Sequence, residues 1–469
     1  MTTVFRSRRA VLPSGEEAAD VVVRHGRIAA VEPHGTIEPS GGELVDIGDL
    51  ALLPGLVDTH VHINEPGRTE WEGFETATAA AAAGGVTTLL DMPLNSLPPT
   101  TTAENLAAKQ RATAGKLHVD VGFWGGAIGT NTADLAELHA AGVFGFKAFL
   151  APSGVPEFPH LDADDLDEVL TEVARLGTVL VVHAEDADVL AEAPQPDGQV
   201  YGHFLQARPA AAEHRAVATL VGAAKRSGAR VHVLHVSSAT VLPVVAAARL
   251  EGVAVSAETC PHYLLFAAEE VPDGATSFKC CPPIRAAINR DALWGGLAAG
   301  VLDLVVSDHS PCPPELKRLD TGDFGTAWGG ISGLQVGLAA VWAAASARGH
   351  GLGDVVRWMA SGPAEFAGLA SKGAIETGRD ADLVAFDPDP VHVVDPADLR
   401  HRHPVTPYAG KSVRGVVQGT WLRGERVDGV TPRGQVRRRS ITFSRRSDAI
   451  PPVHPSCDVA NPGSGEEVR

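Results

Sequence analysis

The chain has 469 residues, 44% apolar and 20% charged, which suits a large buried core and is too apolar for intrinsic disorder. Its formal net charge of −18 excludes a polyanion, whether nucleic acid or anionic membrane, as a partner of the main body. No stretch reaches the roughly 18 apolar residues of a membrane-spanning helix, and the charges near Met1 lead into no apolar segment, so neither a transmembrane helix nor a secretory signal is expected. The five cysteines (260, 280, 281, 312 and 457) have no framework spacing, which points to a reduced, cytoplasmic protein.

In chain order, Val21–Val31 predicts a hairpin turning at His25-Gly26. Eight apolar, β-branched runs follow: Leu52–Ile63, Gly85–Pro93, Lys116–Gly126, Gly142–Leu150, Gly177–Asp186, Ala229–Ser238, Val253–Leu264 and Gly300–Pro311. Each is near-continuously apolar, the mark of a parallel strand buried on both faces. Helical segments separate them, among them Trp71–Ala83, Thr102–Ala114, Leu161–Arg175, Ala210–Ser227 and Ser238–Glu251. Eight alternations predict an α/β chain folded as a (β/α)8 barrel, with a doubly wound open sheet as the rival. Short strands at Asp382–Phe386, Val413–Gln418 and Thr420–Val427 close the chain. They predict a small β-domain from both ends, residues 1–52 plus 373–428, around a barrel at 53–372. From Gly429 the composition turns to Arg, Ser and Pro, predicting a disordered tail over 429–469 in which Arg437–Arg439 and Arg445–Arg446 are solvated.

Barrel enzymes carry their chemistry at the C-terminal ends of strands. Strand one ends Asp58-Thr59-His60-Val61-His62, and residues two apart in a strand face the same side. His183 ends strand five, His235 strand six and Asp308 strand eight, while Lys147 stands inside the apolar strand four. A lone histidine at a strand end is usually a satisfied core or loop residue, and Lys147 alone could reach solvent along its stem. Six such groups at the ends of five strands point instead to a metal centre. Imidazole and carboxylate suit zinc and similar divalent ions. Four histidines and an aspartate exceed one tetrahedral site, so two ions are expected. Neighbouring cations need an anionic bridge, which a lysine ammonium cannot supply. A carbamate on Lys147, formed with CO2, has two oxygens and can; burial lowers the lysine pKa and frees the amine to react.

These residues resemble the cyclic amidohydrolases of the amidohydrolase superfamily over roughly residues 20–428. The resemblance is closest to the allantoinases. It is carried by His60–Phe74 (HVHINEPGRTEWEGF), Asp91–Ser96 (DMPLNS) with Pro98-Pro99-Thr100, Phe146–Leu150 (FKAFL) with Ser153-Gly154 and Glu157-Phe158-Pro159, and Glu258–Leu264 (ETCPHYL). It implies that His60, His62 and Asp308 bind one ion, that His183 and His235 bind the other, and that carboxylated Lys147 bridges them. The metal implied is zinc, with cobalt, manganese or iron as substitutes. Asp308 would also be the catalytic proton carrier. The activity implied is opening of the hydantoin ring of allantoin to allantoate by a cytoplasmic homotetramer, with no nucleic-acid or membrane partner.

Two departures sharpen the substrate. Dihydroorotases carry Arg two residues after the second histidine, as a clamp for the substrate carboxylate; Asn64 stands there and offers no such clamp. Hydantoinases and dihydropyrimidinases carry Tyr five residues after the bridging lysine; Pro152 stands there. A non-catalytic relative would have lost ligands, and all six are present. By the same resemblance the ring meets main-chain groups near Cys281 and Gly330, with Asn95, His262 and Asn289 as side-chain contacts. Cys280, Cys281 and Cys312 otherwise read as buried small hydrophobes. The Gly322–Gly333 stretch resembles no phosphate loop and reads as a mobile loop over the site.

Overall fold

A computed structural model describes residues 2–38 and 41–439. The N-terminal end supplies β1 (Thr2–Leu12), β2 (Gly15–Arg24), β3 (Arg27–Pro33), β4 (Glu43–Asp46) and β5 (Ala51–Pro54). β2 and β3 pair antiparallel around His25 and Gly26, at φ 52° and 75°. Two successive positive φ values match the twist a two-residue hairpin turn requires, and the turn falls where the sequence places it. β1 is an addition to the sequence reading. Its Arg6, Arg8 and Arg9 disguise a strand whose Val4, Phe5 and Ala10 are buried, while Arg6 is paired at 2.8 Å with buried Asp20.

The parallel strands are β6 (Leu56–Val61), β7 (Val86–Asp91), β8 (Asp120–Phe123), β9 (Gly125–Gly126), β10 (Phe146–Phe149), β11 (Val179–His183), β12 (Arg230–Val233), β13 (Val255–Thr259) and β14 (Leu304–Val305). They lie in chain order, as β6-β7-β8 and as β9 through β14. A doubly wound sheet would reverse that order partway. The third apolar run is interrupted only at Trp124, whose indole Nε1 donates to Thr59 O at 2.8 Å. At the other edge Val61 forms a parallel bridge with His309, and His62 N donates to His309 O at 2.8 Å.

Alternation along these strands sorts the core from the site. Leu180 and Val182 of β11 join the main hydrophobic core, as do Phe146 and Ala148 of β10. Val179 and Val181 point the other way, into a second core with Leu90, Met92, Trp124, Leu304, Val306 and Phe366. His183 follows Val179 and Val181 at the same period of two, and Lys147 takes the same face of β10. The helix Ala163–Leu176 shows how the covering layer is specified. Leu166, Val169, Leu170 and Val173 are buried at i, i+3, i+4 and i+7. Asp162 caps the start by accepting from Asp165 N, and Gly177 ends it at φ 62°. No helix of the described residues is long and apolar enough to cross a membrane.

The C-terminal end adds β15 (Leu383–Val393), β16 (Ser412–Leu422) and β17 (Glu425–Arg426). β15 pairs antiparallel with β5 and so joins the two ends into one sheet, ordered β17-β16-β15-β5-β1-β2-β3, with β4 beside β1. The tail expected from Gly429 begins differently. Gly434 N donates to Leu117 O at 2.8 Å, Val436 bridges Val121, and Arg437 N donates to Val121 O at 2.7 Å. Arg437 is not solvated: its guanidinium meets Asp120 and Asp380, each at 2.7 Å. Buried acids contributed by distant segments explain why basic composition misled here. The rest of the expected tail, with Arg445 and Arg446, lies outside the described residues.

Candidate metal centre

The six groups singled out in the sequence line one cavity of about 420 Å³. His60 comes from β6 and His62 from just beyond it, Lys147 from β10, and His183 from the last position of β11. His235 lies two residues past β12 and Asp308 three past β14. Both of the last two hold positive φ, 36° and 44°, a conformation that costs non-glycine residues free energy and recurs at functional sites. His60 Nε2 and His62 Nε2 lie 3.3 and 3.5 Å from the same Asp308 Oδ1. His183 Nδ1 lies 3.1 Å from His235 Nε2.

Each of three imidazoles has one nitrogen held by the protein and the other turned inward. His60 Nδ1 meets Glu258 at 2.6 Å, His62 Nδ1 meets Leu94 O at 2.7 Å, and His183 Nε2 meets Glu185 at 2.7 Å. Buried His60 Nε2 has no hydrogen-bond partner among the described residues. Metal-binding histidines are held in this way, with the outer nitrogen on a carboxylate or carbonyl and the inner one free for the ion. The donor set therefore fits divalent cations, and His60, His62 and Asp308 converge as one ligand group. Burial holds His60 and His235 well below the ordinary histidine pKa, so both are neutral and able to ligate. Burial likewise pulls Lys147 down to about 7, against the opposing pull of Asp308 and Glu258. A fraction of that amine is neutral near pH 7, the form that reacts with CO2.

Asn95, Cys281 and Gly330 line the cavity, and so does Pro152. Gly330 sits at φ 149°, where a Cβ would come within 2.2 Å of Ser310 O, so the chain passes there only without a side chain. His262 and Asn289 are placed otherwise. His262 is fully buried behind Asp308, beside Cys260, and does not line the cavity. Asn289 spends its amide on Ala239 N and Ser237 O, tying the segment past β12 to the helix Ala287–Ala298. The stretch expected as a mobile loop is tethered. The Lys279 ammonium donates to Ala327 O at 2.6 Å and Gly325 O at 3.3 Å, and Lys317 donates to Trp328 O at 3.1 Å and to Gly330 O. Glu185 and Glu258 were not singled out in the sequence as site residues, although both stand at strand ends, where the rule that found the histidines also applies.

Residues 51–427 match the amidohydrolase family. The chain is 59% identical to an allantoinase of Streptomyces avermitilis, over 93% of this chain and 98% of that one. It is 42% identical to an allantoinase of Arabidopsis thaliana, over 90% and 87% of the two chains. Among solved structures it resembles an L-hydantoinase (dihydropyrimidinase) from Arthrobacter aurescens, with a TM-score of 0.84 at 30% identity over 93% of this chain and 97% of that one.

Proposed function

The chain belongs to the amidohydrolase family, in its allantoinase branch, and is a hydrolase of cyclic amides; from that premise we propose that it opens the hydantoin ring of allantoin to allantoate at a binuclear metal centre. The observation that carries the proposal is the convergence of four histidines, a buried lysine and an aspartate on one cavity. His60, His62 and Asp308 would hold one ion and His183 and His235 the other, with carboxylated Lys147 between them. Zinc is the metal this donor set suits best, with cobalt, manganese or iron as alternatives. Two divalent ions bound there supply an acidified water and a polarised carbonyl.

The chain's own groups do the rest. Asp308 accepts the proton of the attacking water as the new C–O bond forms at the ring carbonyl. It returns that proton to the ring nitrogen as the C–N bond breaks, so one carboxylate serves as base and then as acid. Gly330 and Cys281 line the cavity, where their main-chain groups would meet the ring. Asn64, buried and uncharged, offers no cation to a substrate carboxylate, which favours a neutral ring over dihydroorotate. Pro152 in place of a tyrosine weighs against a hydantoinase, the second reading. The two parallel sheets are read as one closed (β/α)8 barrel over 53–372, supported by the Trp124 junction and the Val61–His309 bridge. The end-built sheet is read as the accompanying small β-sandwich. A cytoplasmic homotetramer is the form proposed, and the four free cysteines among the described residues suit a reducing compartment.

The test is a side-by-side assay of the metal-loaded protein on allantoin, hydantoin, dihydrouracil and dihydroorotate, repeated with Lys147→Ala. Allantoin should be preferred. The variant should bind fewer than two ions and lose activity, with partial rescue by short carboxylic acids. Preference for another ring removes the substrate named here, and full activity of the variant without added acid removes the carbamate.

A further inference from the structure

Arg208 stands on the cavity wall beside the metal-ligand candidates. It follows the helix Tyr201–Ala207, and its guanidinium turns toward β11. Nε donates to Glu185 Oε1 at 3.0 Å and Nη2 to Glu185 Oε2. Glu185 is fully buried and holds His183 Nε2 at 2.7 Å with the same Oε2. Two of the three guanidinium nitrogens are thereby committed to orienting a metal ligand. Nη1 is not. It makes no hydrogen bond among the described residues, and it is absent from the buried side-chain atoms that lack a partner. The Arg208 side chain is 20% exposed and lines the cavity, which leaves this nitrogen as its one uncommitted donor there.

We infer that Arg208 is a specificity-determining residue whose Nη1 donates a hydrogen bond to a urea-type carbonyl oxygen of the substrate. The inference rests on the cyclic-amide reading above. The charge on Arg208 is already balanced by Glu185, so Nη1 offers a directional donor rather than a free cation. That arrangement suits a neutral carbonyl better than a carboxylate. It agrees with Asn64, which stands where dihydroorotases carry an arginine to clamp an acid. Allantoin has two such oxygens, one in the ring and one on the ureido arm.

Arg208→Lys separates this role from support of His183. A lysine ammonium can still pair with Glu185 but cannot also present a second directed donor. The metal-loaded variant should keep the metal content of the wild type. Its KM for allantoin should rise at least about tenfold, with kcat changed far less, as expected when one hydrogen bond to the bound substrate is lost. Hydantoin, measured as a substrate or a competitive inhibitor, assigns the oxygen. A matching loss of hydantoin affinity places the bond on the ring, and an unchanged affinity places it on the ureido arm. Arg208→Gln, which also releases Glu185, should add a loss of metal retention on top of the KM effect. An unchanged KM in Arg208→Lys with its metal intact overturns the inference. So does a loss of activity that follows metal content alone in both variants. Wild-type protein inert toward allantoin would count against the proposed function and is read before any variant is made.

Discussion

Glu258 shows how much of the centre depends on residues that would touch neither metal nor substrate. It is buried on β13 between His60 Nδ1 at 2.6 Å and His232 Nε2 at 3.0 Å, and His232 Nδ1 lies 2.7 Å from Ser256 Oγ. This chain fixes the ring of His60 and keeps its Nε2 turned inward. Glu258→Gln preserves the shape and replaces one of its two acceptor oxygens with an amide group that cannot accept. Such outer partners typically contribute 10- to 100-fold to metal affinity, so the variant should release metal to a competing chelator about 10- to 100-fold more readily. Equal retention would show that Glu258 has no part in holding His60. The six ligand candidates were legible in the sequence because histidine, lysine or aspartate is conspicuous at the end of or within an apolar strand. Glu258 could be read there only as a letter in a motif, since its partner His60 is 198 residues away and no local spacing records the pairing. The backbone of His235 and Asp308 was equally hidden, because neither residue type announces positive φ as glycine does.

At the scale of elements, the helix Ala103–Ala112 steadies the first two ligand candidates from behind. The helix was expected, over Thr102–Ala114, and Thr102 caps it by accepting from Asn105 N. The direction of Lys109 was not, since beside Gln110 and Arg111 it looks like a surface residue. It is in fact fully buried. Its ammonium lies 2.6 Å from Asp91 Oδ2 and donates to Met92 O at 3.0 Å and Ser96 Oγ at 3.1 Å. Asp91 accepts from Ile63 N at 2.8 Å, and Leu94 O holds His62 Nδ1. One buried cation therefore ties β7 and the segment 92–96 to the end of β6. Lys109→Met leaves Asp91 buried without its cation, a change that typically costs about 3–5 kcal/mol. The denaturant midpoint should fall accordingly, and Lys109→Met/Asp91→Asn should regain part of the loss. A midpoint within error of the wild type would mean that the pair is energetically idle.

Across the whole molecule, parallel strands, end-built sheet and C-terminal segment meet at one cluster of charges. Asp120 opens β8, Asp380 and Asp382 precede β15, and Lys372 lies within 3.1 Å of all three carboxylates. Arg423, beyond β16, reaches Asp120 at 2.8 Å, and Arg437 spans Asp120 and Asp380. The strands were legible in the sequence because their pattern is local. This cluster was not, for it joins Asp120 to an arginine 317 residues later, and composition alone assigned that arginine to a disordered tail. Burial disfavours ionisation of Asp120, but Lys372, Arg437 and Arg423 outweigh it and hold its pKa below the ordinary value. Asp380 is likewise lowered, with Lys372 and Arg437 prevailing over burial. A carboxylate whose pKa is lower folded than unfolded adds stability that is complete above its unfolded pKa, about 3.9, and is lost as pH falls toward the folded value. Arg437→Met removes one cation from both acids and raises their folded values. The variant should lose about 2 kcal/mol at neutral pH, typical of hydrogen bonds to charged groups, and should unfold in acid at a higher pH than the wild type. Circular dichroism along an acid titration reads both effects. Superimposable curves would show that Arg437 contributes nothing to joining the C-terminal segment to the strands.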